Sequence, residues 1–121
     1  MLKTLLLTVA GAAAALAAAV GAGATAPPVG PLPPGPKAIV VTHVGELVAV
    51  ALPHRSGGRV WRVARAFDGK VLSQVSEADV GSNVVLVFKT ARAGSVTLAF
   101  ALTRGETAKA LEARTFAVTV R

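Results

Sequence analysis

Ser95-Val96-Thr97-Leu98-Ala99-Phe100-Ala101-Leu102 alternates large apolar side chains with small or polar ones without a break. In an extended chain Val96, Leu98, Phe100 and Leu102 point to one side. Ser95, Thr97, Ala99 and Ala101 point to the other. A period of two over this length marks a strand with one buried face. The same alternation returns at Thr115–Val120, where Phe116, Val118 and Val120 share a side, at Val84, Leu86 and Phe88, and at Val48, Val50 and Leu52.

Along the rest of the chain the pattern predicts seven strands in all, near 38–42, 46–52, 60–66, 70–75, 84–90, 95–103 and 115–120. Turn signals separate them: Val44-Gly45, Ser56-Gly57-Gly58, Asp68-Gly69, Asp79 to Asn83, Ala93-Gly94 and Arg104-Gly105. Residues 107–113 have helix-forming composition but are too short to stand alone, and read as a loop with at most one helical turn. Seven short strands at this spacing predict an all-β, immunoglobulin-like β-sandwich, with a small barrel as the alternative.

The N-terminal third has a different character. Residues 1–36 hold six of the seven prolines and one charged side chain, Lys3. Met1-Leu2-Lys3 followed by the apolar stretch Thr4–Val20 and the small residues Ala22-Gly23-Ala24 reads as a secretory signal peptide over residues 1–24, with an uncleaved membrane anchor as the alternative. Residues 25–36 read as a Pro-rich linker, extended because proline fixes φ and lacks an amide donor. The domain is then 37–121. The expectation is an exported protein, periplasmic or secreted, a monomer, with no membrane span once the signal is removed.

Several chemistries are excluded or unsupported. The chain has no cysteine, so it has no disulfide and no thiol nucleophile. His43 and His54 make no zinc spacing, and the six acids are scattered. Ser56 lacks the setting of a nucleophile elbow, and there is no phosphate loop. The reading is a non-enzyme without cofactors. Twelve bases against six acids in residues 37–121 make the domain basic, but the bases are spread singly. The few aromatics fall mostly at inward positions, which leaves little for base stacking and points away from nucleic acid.

One stretch carries a resemblance. Val44-Gly45-Glu46, Leu52-Pro53, Gly58 and Trp61 resemble, at matching spacing, the opening of the chagasin-type inhibitors of papain-like cysteine proteases. His54, Arg55, Ser56 and Gly57 stand where that family has Asn-Pro-Thr-Thr, and Arg59 replaces a Tyr. Downstream, Val80-Gly81-Ser82-Asn83 before Val87-Phe88-Lys89 is similar to the family's second loop and the strand after it. Ala93 to Leu98 and Thr115 to Val120 match strand segments, and Arg104-Gly105-Glu106 falls where Arg-Pro-Trp is found.

The resemblance implies a sandwich whose three loops, at one end, wedge noncovalently into a protease cleft. The protease-binding residues would be His54, Arg55, Ser56, Gly57, Gly58 and Arg59 in the first loop. Gly81, Ser82 and Asn83 would form the second, and Arg104, Gly105 and Glu106 the third. Arg55, Arg59 and Arg104 would then share one pole and favour an acidic partner. The other reading is a non-inhibitory exported binding module for a protein or an anionic envelope polymer.

Overall fold

The computed structural model describes residues 27–121; the signal-peptide segment lies outside the described residues. Among these described residues seven strands form: β1 Lys37–Thr42, β2 Leu47–Pro53, β3 Arg59–Val63, β4 Leu72–Val80, β5 Asn83–Thr90, β6 Gly94–Arg104 and β7 Glu112–Val120. They make two sheets, ordered β1-β7-β6-β3 and β2-β5-β4. All pairings are antiparallel except β1 with β7. This is the expected immunoglobulin-like sandwich; the sheets stay separate and do not close into a barrel.

The core lies where the alternation put it. Val48, Val50, Leu52, Leu86 and Phe88 of the smaller sheet meet Val96, Leu98, Phe100, Val118 and Val120 of the larger. Burying each large side chain contributes about 1.5–3 kcal/mol. Aromatic rings chain across the gap. Phe67 packs edge-on against Phe88 at 6.0 Å, Phe88 lies 6.5 Å from Phe100, and Phe100 meets Phe116 at 5.8 Å. Trp61 sits at the margin of this core, half-buried, with its indole Nε1 donating to the Pro53 carbonyl at 2.8 Å.

β3 stops at Val63, short of 66, and β7 begins at Glu112 rather than 115. Two further elements differ more from the sequence reading. β4 runs to Val80, well past 75, because Val75 is a bulge between Gln74 and Ser76. The extra residue breaks the period of two, and Ser76–Val80 is exposed edge strand with no hydrophobic signal. Residues 107–111 form a loop with no helical turn, held by Leu111 N donating to Leu102 O at 2.7 Å.

The proline-rich run is laid along the outer face of the larger sheet rather than standing clear of the domain. Gly30 N donates to Ala108 O, Arg65 reaches the carbonyls of Val29 and Gly30, and Arg62 donates to Pro27 O. Prolines leave their carbonyls without a repeating partner, and these two arginines satisfy several of the segment's acceptors. The strap explains why Ala99, Ala101 and Ala113 are buried although they point away from the core. It also explains why they are small. A Cβ on Gly35 would overlap the Ala113 carbonyl oxygen. Gly35→Val is therefore expected to unseat the strap, at a cost of about 1–3 kcal/mol. The expected readout is a lower melting temperature, with new protease cleavage confined to residues 27–36.

Candidate functional site

Strand register brings the three loops to one end. Pro53 of β2 and Val80 of β4 both pair with Asn83 of β5, and Arg59 of β3 pairs with Arg104 of β6. The β2–β3 loop, the β4–β5 turn and the β6–β7 loop therefore leave from the same pole. Main-chain bonds join them. His54 N donates to Ser82 O, linking first to second, and Gly105 N donates to Gly58 O, linking first to third, each at 2.9 Å.

Not every sequence-predicted site residue is in a loop. His54 to Gly58 form the first loop, Gly81 and Ser82 the β4–β5 turn, and Gly105 and Glu106 open the third loop. Arg59, Asn83 and Arg104 are terminal residues of β3, β5 and β6 and frame the loops from their bases. The second loop is thus a two-residue turn, shorter than the sequence suggested.

The first loop needs its glycines for backbone reasons. Gly57 and Gly58 have φ of 78° and 74°, with open space where a Cβ would stand. Left-handed backbone at two successive residues strongly favours glycine. The pair is nevertheless braced. Arg59 Nε donates to Ser56 O at 2.6 Å, and Arg104 reaches toward Gly57 O at 3.5 Å.

Electrostatics at this pole differ from the sequence expectation. Arg55 is not a free charge, because it makes a two-point pair with Glu112 of β7 at 2.8 and 3.0 Å. Asp79 lies 3.0 Å from His54 Nε2, tying the first loop to the β4–β5 hairpin. Glu106 adds a second exposed carboxylate beside that of Asp79. The arginines act as internal braces as much as a positive patch, so steering of an acidic partner is weaker than three unpaired arginines would give.

Glu112 and Asp79 are the residues the sequence reading missed. The alternation of β7 carries back from Phe116 to Arg114 and Glu112, which share the inward face with Phe100 and Leu102. Charged residues continuing an inward phase were the available signal. Arg114 lies over the Trp61 ring at 6.0 Å, and its Nε is buried with no acceptor among the described residues. The Arg55 hydrogen bonds hold the Glu112 carboxyl below the usual carboxylate range, against partial desolvation, with further help from the charges of Arg55, Arg114 and Arg59.

A carboxyl depressed in the folded state adds stability that is fully present above its unfolded pKa. That stability is lost as pH falls through the folded one. Glu112→Gln is expected to lower stability at neutral pH by on the order of 1 kcal/mol, since the pair is partly exposed. Melting curves of the two proteins should converge as pH is lowered from about 7 to about 3. A gap that stays constant with pH would assign the effect to packing.

No family model matches this chain, and no curated protein matches it. Solved structures do. A cysteine protease inhibitor from Entamoeba histolytica, EhICP2, superposes with a TM-score of 0.53 at 16% identity, covering 74% of this chain and 99% of that one. PbICP-C, solved in complex with falcipain-2, superposes with a TM-score of 0.50 at 14% identity, covering 77% and 96%. The chain thus shares its sandwich fold with structures of the cysteine protease inhibitor kind. At these identities the likeness is one of fold.

Proposed function

We propose that this protein is an inhibitor of papain-like cysteine proteases that acts by noncovalent occlusion of the catalytic cleft. The observation that carries the reading is the joining of three loops, by main-chain hydrogen bonds, into one wedge at one end of the sandwich. The likeness in fold to EhICP2, and to PbICP-C in its complex with falcipain-2, supports the same partner class.

Ser56, Gly57 and Gly58 are exposed and small, so the first loop can approach a thiolate–imidazolium pair closely without offering a bulky side chain. The bonds from Arg59 and from Gly105 pre-order the glycine pair, which reduces the entropy lost on binding. Affinity is limited by the third loop. Glu106 stands where an aromatic anchor would contribute most. The signal-like N-terminus supports action outside the cytoplasm, in the periplasm or beyond the cell.

The test is inhibition of a panel of papain-like proteases by the wild type and by Glu106→Trp. The wild type is expected to inhibit at least one member, and the variant to do so about tenfold more tightly. If both leave the whole panel untouched, the non-inhibitory binding module replaces the inhibitor.

A further inference from the structure

Among the described residues β1 is an edge strand, paired only with β7 in its sheet. Its main-chain bonds show which residues face which way. Pro36 O accepts from Thr115 N, Thr42 O accepts from Arg121 N, and Val44 N donates to Arg121 O. Even-numbered residues thus turn their N–H and C=O groups toward β7. Successive residues of a strand turn these groups to opposite sides. Lys37, Ile39 and Val41 therefore present theirs to the open side. Their side chains lie on the outer face, where Ile39 is 83% and Val41 54% exposed. The strand KAIVVT has no proline, and no charge after Lys37. It lacks the devices that keep an edge from pairing.

We propose that β1 pairs with β1 of a second copy, antiparallel about a two-fold axis through Val40. In that register Ile39 of each copy lies opposite Val41 of the other. Both residues present their main-chain groups to the open side, so each opposed pair exchanges both of its N–H···O=C bonds. Their side chains meet on one face as cross-strand aliphatic pairs. A shift by one residue would set open groups against groups already bonded to β7.

Charge selects this register and this occupant. It brings Lys37 of each copy beside the His43–Glu46 turn of the other. In that turn the exposed Glu46 carboxylate is held by Thr42 Oγ1 at 2.7 Å and by His43 N at 3.1 Å. The complement of cation and anion occurs twice by symmetry, as an isologous contact requires. None of the three loops contributes to this edge, so both wedges stay free in the pair.

The contact is small, well under the roughly 1,200 Å² of a stable interface. The dissociation constant is accordingly expected to be on the order of 10–1000 µM. Sedimentation equilibrium of the exported chain from about 1 µM to about 1 mM should show reversible dimerisation. Val41→Pro deletes an N–H that faces the open side and is not used by β7, so the ring is tolerated and the dimer is lost. Lys37→Glu should weaken the dimer about fivefold or more. Amide exchange should show protection of Ile39 and Val41 that rises with protein concentration, while that of Val40 stays constant. If Val41→Pro does not fold, Ile39→Lys serves in its place. A chain that stays monomeric over the whole range overturns the proposal, as does a dimer that Val41→Pro or Ile39→Lys leaves intact. Protease inhibition by the Val41 variant should equal that of the wild type, which keeps this outcome separate from the loop reading.

Discussion

Phe100→Ala is expected to lower the unfolding free energy by about 3–5 kcal/mol. Phe100 is buried at the centre of β6 and stands between Phe88 of the opposing sheet and Phe116 of the neighbouring strand. Truncation removes the transfer energy of the ring and leaves a cavity between two sheets that cannot collapse without breaking their registers. The edge-to-face contact with Phe116 and the tilted contact with Phe88 are lost as well, and such aromatic pairs are worth about 0.5–1.5 kcal/mol beyond area. A domain of this size has a total stability of only about 5–15 kcal/mol, so a large share goes with one side chain. Urea unfolding followed by Trp61 fluorescence measures it. A loss below about 1.5 kcal/mol would mean that Phe100 does not bridge the sheets.

Gly105→Pro is the second large effect, and it runs against what sequence comparison alone suggests. The resembling family carries Pro where Gly105 stands, so the substitution looks like a restoration. Here Gly105 has φ of 56° and its N–H donates to Gly58 O. Proline requires φ near −65° and has no N–H to give. The substitution is expected to cost about 3 kcal/mol and to release the third loop from the first. Protease inhibition should fall at least tenfold, because the loops would have to be ordered on binding. Gly105→Ala retains the donor but not the easy left-handed backbone, and should fall between the two. Equal inhibition by the proline variant and the wild type would show that the tie between loops is not needed.

Much of the fold was legible because the hydrophobic period is strict. The alternation in β2, β5, β6 and β7 requires two buried faces, and glycines mark the turns between them. β4 was half hidden for a definable reason. The bulge at Val75 shifts the phase, and the rest of the strand is exposed and acidic. The strap was illegible as a packed element because proline runs carry no periodic signal. The buried outward alanines Ala99, Ala101 and Ala113 are its trace in the sheet.

The loop residues were legible as positions but not as partners. The register of β3 with β6 and of β2 with β5 brings them together. The pairing of Arg55 with Glu112, residues 57 apart, could not be read from charge spacing. That pairing changes the chemistry of the pole, since it turns an apparent free cation into a brace between the first loop and β7.

On the proposed function, one wedge of three loops meets the protease cleft. Hydrogen exchange of this protein, mixed in turn with a papain-like protease that it inhibits and with the same protease blocked at its catalytic cysteine by a cleft-filling covalent reagent, tests it directly. The expected result is protection confined to His54–Arg59, Gly81–Ser82 and Gly105–Ala110 with the free protease, and none with the blocked one. Protection on the outer face of β1 and β7 instead, or a footprint that survives blocking of the cleft, would contradict it.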